Sequence, residues 1–287
     1  MDPLLAIQLG LLYASPLLLA AIGELYVERT GLVNLGIEGL MALGAAVAVL
    51  VGIETGSILL SYIVAGLAGL ALSSIYVLLV VLLKADQIVV GLSIFFLGVG
   101  LGELVGYMTK GMPATPLAPL VARMDVVTLS ALALAIASWI ILWRTWLGYA
   151  IRSIGESEEK ARALGVNVTA TRIVVVLLAG FLAGLAGAHV VLRVFHARWY
   201  SGVTLGWGWI ALGSVVLGYW HPLGIILATF LIGLLFSVVE PILASMGVPG
   251  ALASSTPYLA VIAALALASL VSKKLGIHPP ASVWRRD

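Results

Sequence analysis

Residues 144–172 read RTWLGYAIRSIGESEEKARALGVNVTATR, an island of charge in a chain that is otherwise almost continuously apolar. Of the 287 residues, 62% are hydrophobic and only 10% charged, and the mean hydropathy is +1.17. Water-soluble domains carry about a quarter charged residues, so this chain lacks the polar surface needed to close around a single core in water. The island is therefore read as the one long extramembrane segment of an all-α polytopic membrane protein. The 32 glycines suit closely packed membrane helices, and with no cysteine there is no disulfide and no thiolate chemistry.

Working outward from the island, a crossing needs about 20 mainly apolar residues. Five candidates precede it, near 4–23, 36–52, 57–83, 86–108 and 126–143. Four follow, near 172–196, 207–220, 222–240 and 254–272. The count is about nine, within a range of eight to ten. The second and seventh are short and rich in glycine, which suits a broken or re-entrant helix as well as a full span. The first, Leu4 to Gly23, has neither a basic lead-in nor a small-residue cleavage site before a soluble domain, and is expected to be a retained span.

Nine crossings send alternate loops to opposite sides. One side collects Arg29, Lys84, Arg144, Arg152, Lys160, Arg162, Arg172, Lys273, Lys274, Arg285 and Arg286; the other has Lys110, Arg123, Arg193 and Arg198. The richer side is expected to be cytoplasmic, with the N-terminus outside and the C-terminus inside. The basic tail reads as the flank of a final span and not as a nucleic-acid site.

GLMALGAAV at 39–47 is echoed by GWIALGSVV at 208–216, with Gly39, Ala42, Leu43, Gly44 and Val47 matching Gly208, Ala211, Leu212, Gly213 and Val216. The same offset carries the first span onto the sixth, the third roughly onto the eighth and the fourth onto the ninth. An odd number of spans separates the copies, which predicts an inverted repeat of the kind found in transporters, with the solute path at the repeat interface. The expected organisation is a single transmembrane domain over 1–287: a first repeat over about 4–108, a linking span at 126–143, a cytoplasmic loop over about 144–171, a second repeat over about 172–272 and a tail at 273–287.

None of the five lysines is followed by Ser or Thr, so the chain has no phosphate-binding loop of its own, and it has no HExxH. Transport would draw on an ion gradient or on an ATPase carried by another chain. The acids that could serve an ion path are Glu38, Glu103 and Glu240, of which Glu240, followed by Pro241, reads equally as a span-end residue in the interface; this is a sparse set for a stand-alone ion-coupled carrier, which is the alternative reading. Glu24 and Glu28 are expected in a cytoplasmic turn with Arg29. Within the island, Ser157 is placed to cap a short helix that carries Glu158 and Glu159 in its first turn and ends at Gly165.

EKARALG at 159–165 resembles the EAAxxxG signature of permease subunits of ATP-binding-cassette importers, with Lys160 in place of the first Ala. GELYVERTGLVNLGIEGLMALGA, RTWLGYAIRSIGESEEKARALGVNV, GWGWIALGSVVLGYWHPLG and TPYL at 256–259 extend the resemblance over roughly Leu11 to Leu270. The likeness is to the branched-chain amino acid/ribose-type permease superfamily, in its nucleoside and simple-sugar branch. It implies two permease subunits, homologous or identical, an ATPase that is in some cases one tandem chain, and an extracellular solute-binding protein. The chain itself would bind no cofactor and no metal; ATP and Mg would sit on the partner. The resemblance assigns ATPase coupling to Glu156, Glu159, Ala161, Arg162, Leu164 and Gly165, with Leu164 as the apolar anchor. For a nucleoside path the candidates are Asn34, Phe95, Phe96, Glu103, His189, Trp207 and Trp209. Five of these have a plainer reading beside them: interfacial anchors for the two tryptophans, packing or lipid contact for the phenylalanines, a backbone bond for His189.

Overall fold

The computed structural model describes residues 2–121 and 123–275, the last five by backbone alone. Among them the chain forms eleven helices: α1 (Pro3–Glu28), α2 (Ile37–Thr55), α3 (Ile58–Leu82), α4 (Gln87–Tyr107), α5 (Val126–Arg144), α6 (Trp146–Glu156), α7 (Glu158–Ala163), α8 (Val168–Val194), α9 (Trp207–Leu217), α10 (Pro222–Ser245) and α11 (Gly250–Leu275). Eight of these are long and apolar enough to cross a membrane. The second candidate span is an unbroken 19-residue helix. The basic tail expected at Lys273, Lys274, Arg285 and Arg286 falls on side chains outside those described.

The seventh candidate differs from a full span. At 11 residues α9 is about 16 Å long, roughly half the hydrocarbon thickness. It starts after Gly206, whose φ is +89°, and ends before Tyr219 and Trp220, at φ +51° and +53°. Side chains this bulky rarely take that conformation; Arg29, which donates to the Trp220 carbonyl at 2.5 and 3.1 Å, holds it here. The crossing is completed by the preceding loop. Ala197 accepts from Ala114 at the end of the bundle away from the island, while Trp220 lies beside Arg29 at the island end. Residues 197–220 thus traverse the bundle as a loop followed by a half-length helix.

Two matched contacts hold the first run of helices to the second. α1 packs along α10, and α3 packs along α8. At the first contact a Cβ on Gly233 would run into the Gly10 carbonyl; at the second, a Cβ on Gly69 would run into the Gly180 carbonyl. Each run supplies one small-residue groove and fills one, the close approach that membrane helices use in place of a hydrophobic driving force. α1 is buried along most of its length in the resulting core, whereas α4, α5 and α11 lie at the periphery.

The cations segregate to the two ends. Arg172 donates to the Thr30 carbonyl at 3.0 Å at the island end. At the far end Arg193 donates to Asp125 at 3.1 Å and to the Arg123 carbonyl at 2.8 Å.

Candidate functional site

A cavity of about 470 Å³ opens towards the far end, within the size range of small-molecule sites. Six aromatic side chains line it: Tyr13 from α1, Phe195 and Tyr200 from the loop after α8, Trp207 from α9, Phe236 from α10 and Tyr258 from α11. Tyr13, Trp207 and Phe236 form a slab of nearly parallel rings, with Trp207 and Phe236 4.9 Å apart at 15° and Tyr13 6.4 and 6.5 Å from them. Phe195 and Tyr258 meet the slab edge-on. The polar lining includes Glu240 and Ser254, and among the described residues no Lys, Arg or His lines the cavity. Flat faces with few polar groups can take a planar base or the C–H face of a sugar.

Beyond the slab the α9 helix start is capped from another helix. Gly206 offers no side chain to cap it. The Glu38 carboxylate, in the first turn of α2, accepts from the Gly208 N–H at 2.7 Å instead. Two helix N-termini from opposite runs thus share one carboxylate, which suits the positive ends of both dipoles. A separate space of about 30 Å³, lined by Glu38 and Glu103, shares the wall residues Gly202, Val203 and Leu205 with the cavity. Glu103 accepts from the Gly202 N–H at 3.1 Å. Both acids are thereby occupied in holding backbone.

Of the expected path residues, Trp207 is buried in the cavity wall and is no interfacial anchor. Trp209 turns away to meet Phe95 edge-on at 5.7 Å, and Phe96 points outward with 69% of its surface exposed. Asn34 is buried at the turn into α2, where its backbone N–H donates to Glu24 and its Oδ1 accepts from Gly36. Its role is to shape that turn. His189 is fully buried, and among the described residues its ring bonds two side chains and no backbone. Ser15 gives its proton to the Leu12 carbonyl, so its oxygen accepts from His189 Nε2 at 2.8 Å; the Tyr62 hydroxyl then donates to Nδ1 at 2.8 Å. Glu24 and Glu28 lie buried in the last turns of α1 and not in a turn after it, and Glu28 receives the Trp220 indole N–H in place of the expected pairing with Arg29. Sequence reasoning missed Tyr13, Phe195, Tyr200, Phe236 and Tyr258 as wall residues.

At the opposite end the island folds into two short helices. Ser157 caps α7, accepting from Lys160 N, and Gly165 ends it with φ +80°. Ala161 is fully buried against Ala150, Ile154, Val166 and Val168, so its small side chain serves the chain's own packing. Glu156, Glu159, Arg162, Leu164 and Gly165 are exposed, Leu164 by 74%. Glu158 pairs with Arg162 and with Arg172, both at 2.7 Å. Burial pushes its carboxyl up, but the two guanidiniums outweigh that and hold it below the usual range. Arg172 then reaches Thr30 after α1.

A second tie runs through α6. Arg152 and Arg29 stack on Trp143 at 5.3 and 5.2 Å, and the His221 ring lies 4.5 Å from it. Burial first, then the neighbouring Arg152, pulls Arg29 down to about 10, so it stays charged at neutral pH. The island is thereby fastened to α1 and to the turn between α9 and α10, the helix start of which forms the cavity wall.

Residues 6–271 match the family described as branched-chain amino acid transport system / permease component. The guanosine ABC transporter permease protein NupQ of Bacillus subtilis is 33% identical, over 89% of this chain and 89% of its own. The nucleoside ABC transporter permease protein NupC of Lactococcus lactis is 31% identical, over 90% of each. The glucose ABC transporter permease protein TsgB13 of Haloferax volcanii is 26% identical, over 84% of this chain and 71% of its own. No solved structure matches the chain.

Proposed function

The chain belongs to the branched-chain amino acid transport permease family, as a multi-pass membrane subunit of ATP-binding-cassette importers, and on that premise we propose that its own solute is a nucleoside or simple sugar. The observation that carries this reading is the cavity lining: among the described residues, six aromatic rings with one carboxylate and no cation. An amino acid could satisfy Glu240 with its ammonium, but its carboxylate would find no cation to receive it. A nucleoside or sugar brings flat faces and hydroxyl donors and no charge. The likeness to permeases named for guanosine, nucleosides and glucose supports the same choice.

The solute arrives from an extracellular binding protein and crosses between this chain and a second permease subunit. ATP is hydrolysed by a partner ATPase docked on the island, with the N-terminus outside and the island cytoplasmic. The two runs of helices act as inverted halves, a reading supported by the matched glycine contacts of Gly10 with Gly233 and Gly180 with Gly69. When the ATPases close, α6 and α7 move, and the ties through Arg172 to Thr30 and through Trp143 to Arg29 carry that movement to α1 and α9.

The test is uptake of labelled guanosine, ribose and leucine by native cells deleted for the chain, then restored with it or with Trp207→Ala. The native chain is expected to restore guanosine or ribose uptake and Trp207→Ala to restore little of it. Restored leucine uptake without either would refute the assignment.

A further inference from the structure

The acids inside the long helices are unevenly partnered. Glu24 accepts from Asn34 N, Glu28 from the Trp220 indole, Glu38 from Gly208 N and Glu103 from Gly202 N. Glu54 sits at the exposed end of α2. Glu240 is the exception: half-buried in α10, it lines the aromatic cavity, and among the described residues it has no ion pair and no hydrogen-bond donor. Ionisable side chains within membrane-spanning helices are rare and are first read as functional; Glu240 lies near the C-terminal end of α10.

Its placement is also built. A π-helical turn at Leu235–Val239 immediately precedes Glu240, and Pro241, which has no N–H to return to the previous turn, follows it. Single π turns inside α-helices recur at functional sites because they re-aim the side chains that follow. Here the turn puts Phe236 in the ring slab and Glu240 in the same cavity.

We propose that Glu240 is a specificity-determining residue that anchors the solute by accepting hydrogen bonds from two neighbouring hydroxyls of its sugar ring, while the Tyr13–Trp207–Phe236 slab takes the flat face. A carboxylate has two oxygens suited to a pair of adjacent donors, and bonds to a charged acceptor are the stronger class. Vicinal hydroxyls are common to ribonucleosides and simple sugars, so the anchor serves either solute; this rests on the nucleoside or sugar reading above. The same carboxylate repels phosphorylated forms.

The experiment uses the complete importer in cells lacking other uptake routes, and compares guanosine with 2′,3′-dideoxyguanosine, and ribose with 2-deoxyribose. Each solute's affinity for the binding protein is measured separately and divided out. For the native chain the hydroxylated solute is expected to be taken up at least about tenfold better than its deoxy partner. In Glu240→Leu that ratio falls to near one, while Glu240→Gln, which can still bond hydroxyls that both donate and accept, keeps an intermediate ratio. Co-purification of the ATPase with each variant reports that the complex is assembled. A ratio unchanged in an assembled Glu240→Leu complex overturns the anchor alone. Failure of the native importer to move guanosine or ribose overturns the solute class and the anchor with it. If Glu240→Leu does not assemble, Glu240→Gln decides: a native ratio there overturns the proposal, and a reduced one supports it.

Discussion

The Glu38 carboxylate, in the first turn of α2, accepts the backbone N–H of Gly208, in the first turn of α9 and 170 residues away in sequence, at 2.7 Å. A half-length helix is thus started by a side chain from the other run. Replacing Glu38 by Leu leaves that buried N–H unpaired, which is expected to cost about 1–3 kcal/mol and to abolish uptake. Glu38→Gln keeps an acceptor and loses the charge, so it should fall between the two. Thermal unfolding in detergent, read with uptake, checks the order; equal stability of all three would remove the cap from the account.

The glycine contacts make a paired prediction. An alanine at Gly69 or at Gly233 drives a methyl into the facing carbonyl, of Gly180 or Gly10 respectively. Each is expected to destabilise the fold by about 1–3 kcal/mol, as overpacking does. At Gly100 a Cβ meets nothing within 4 Å, and alanine there should be tolerated. Unfolding midpoints of the three variants would show two clearly below Gly100→Ala, or the matched packing is wrong.

On the island, Leu164 is exposed by 74% while Ala161 is wholly covered. Leu164→Ala should therefore weaken ATPase retention with little effect on folding. Arg162→Glu adds an acid beside Glu158, its present ion-pair partner. Both are expected to reduce uptake at least about tenfold, the loss of an anchor contact worth over 1.4 kcal/mol. Normal uptake with normal ATPase retention would place the docking surface elsewhere.

The Glu158 pairing also sets a pH dependence. Arg162 and Arg172 hold its folded carboxyl below the unfolded value of 4.5 despite the opposing effect of burial. A depressed carboxyl contributes its stability above the unfolded value and loses it as pH falls through the folded one. Hydrogen exchange over α7 should be flat from pH 7 to about 5, after correction for intrinsic rates, and rise only below 4.5. Pairs this exposed are worth little individually, so the effect is expected to be confined to the island.

The long helices were legible because a crossing demands about 20 apolar residues whatever packs against it. α9 was not. The apolar run from Trp207 to Val239 is nearly continuous in sequence, and its break depends on Tyr219 and Trp220 taking left-handed backbone held by Arg29 and Glu28, a tertiary effect that hydropathy does not carry. The island was legible in its caps, Ser157 and Gly165, which are local chemistry. Its inward and outward faces were not, since the burial of Ala161 depends on α6 and the start of α8. The cavity was legible at Trp207 alone. Tyr13, Phe195, Tyr200, Phe236 and Tyr258 come from segments far apart in the chain, and an aromatic in a membrane helix looks the same whether it faces lipid, packing or a solute. Glu240 was the one other signal, an ionisable side chain in an apolar run.

The exchange of grooves between the two runs bears on how the protein is made. When α1 through α5 have been synthesised, the surface around Gly10 has no neighbour to fill it, because its occupant is α10, and α3 waits likewise for α8. The early spans must remain in the bilayer, or in the care of the insertion machinery, until the later ones emerge. A ribosome stalled within the island would leave a product with two open grooves and no Gly208 for Glu38 to hold. Such a fragment is a natural target for membrane proteases, and two fragments cut at the island and produced together have the surfaces needed to find each other.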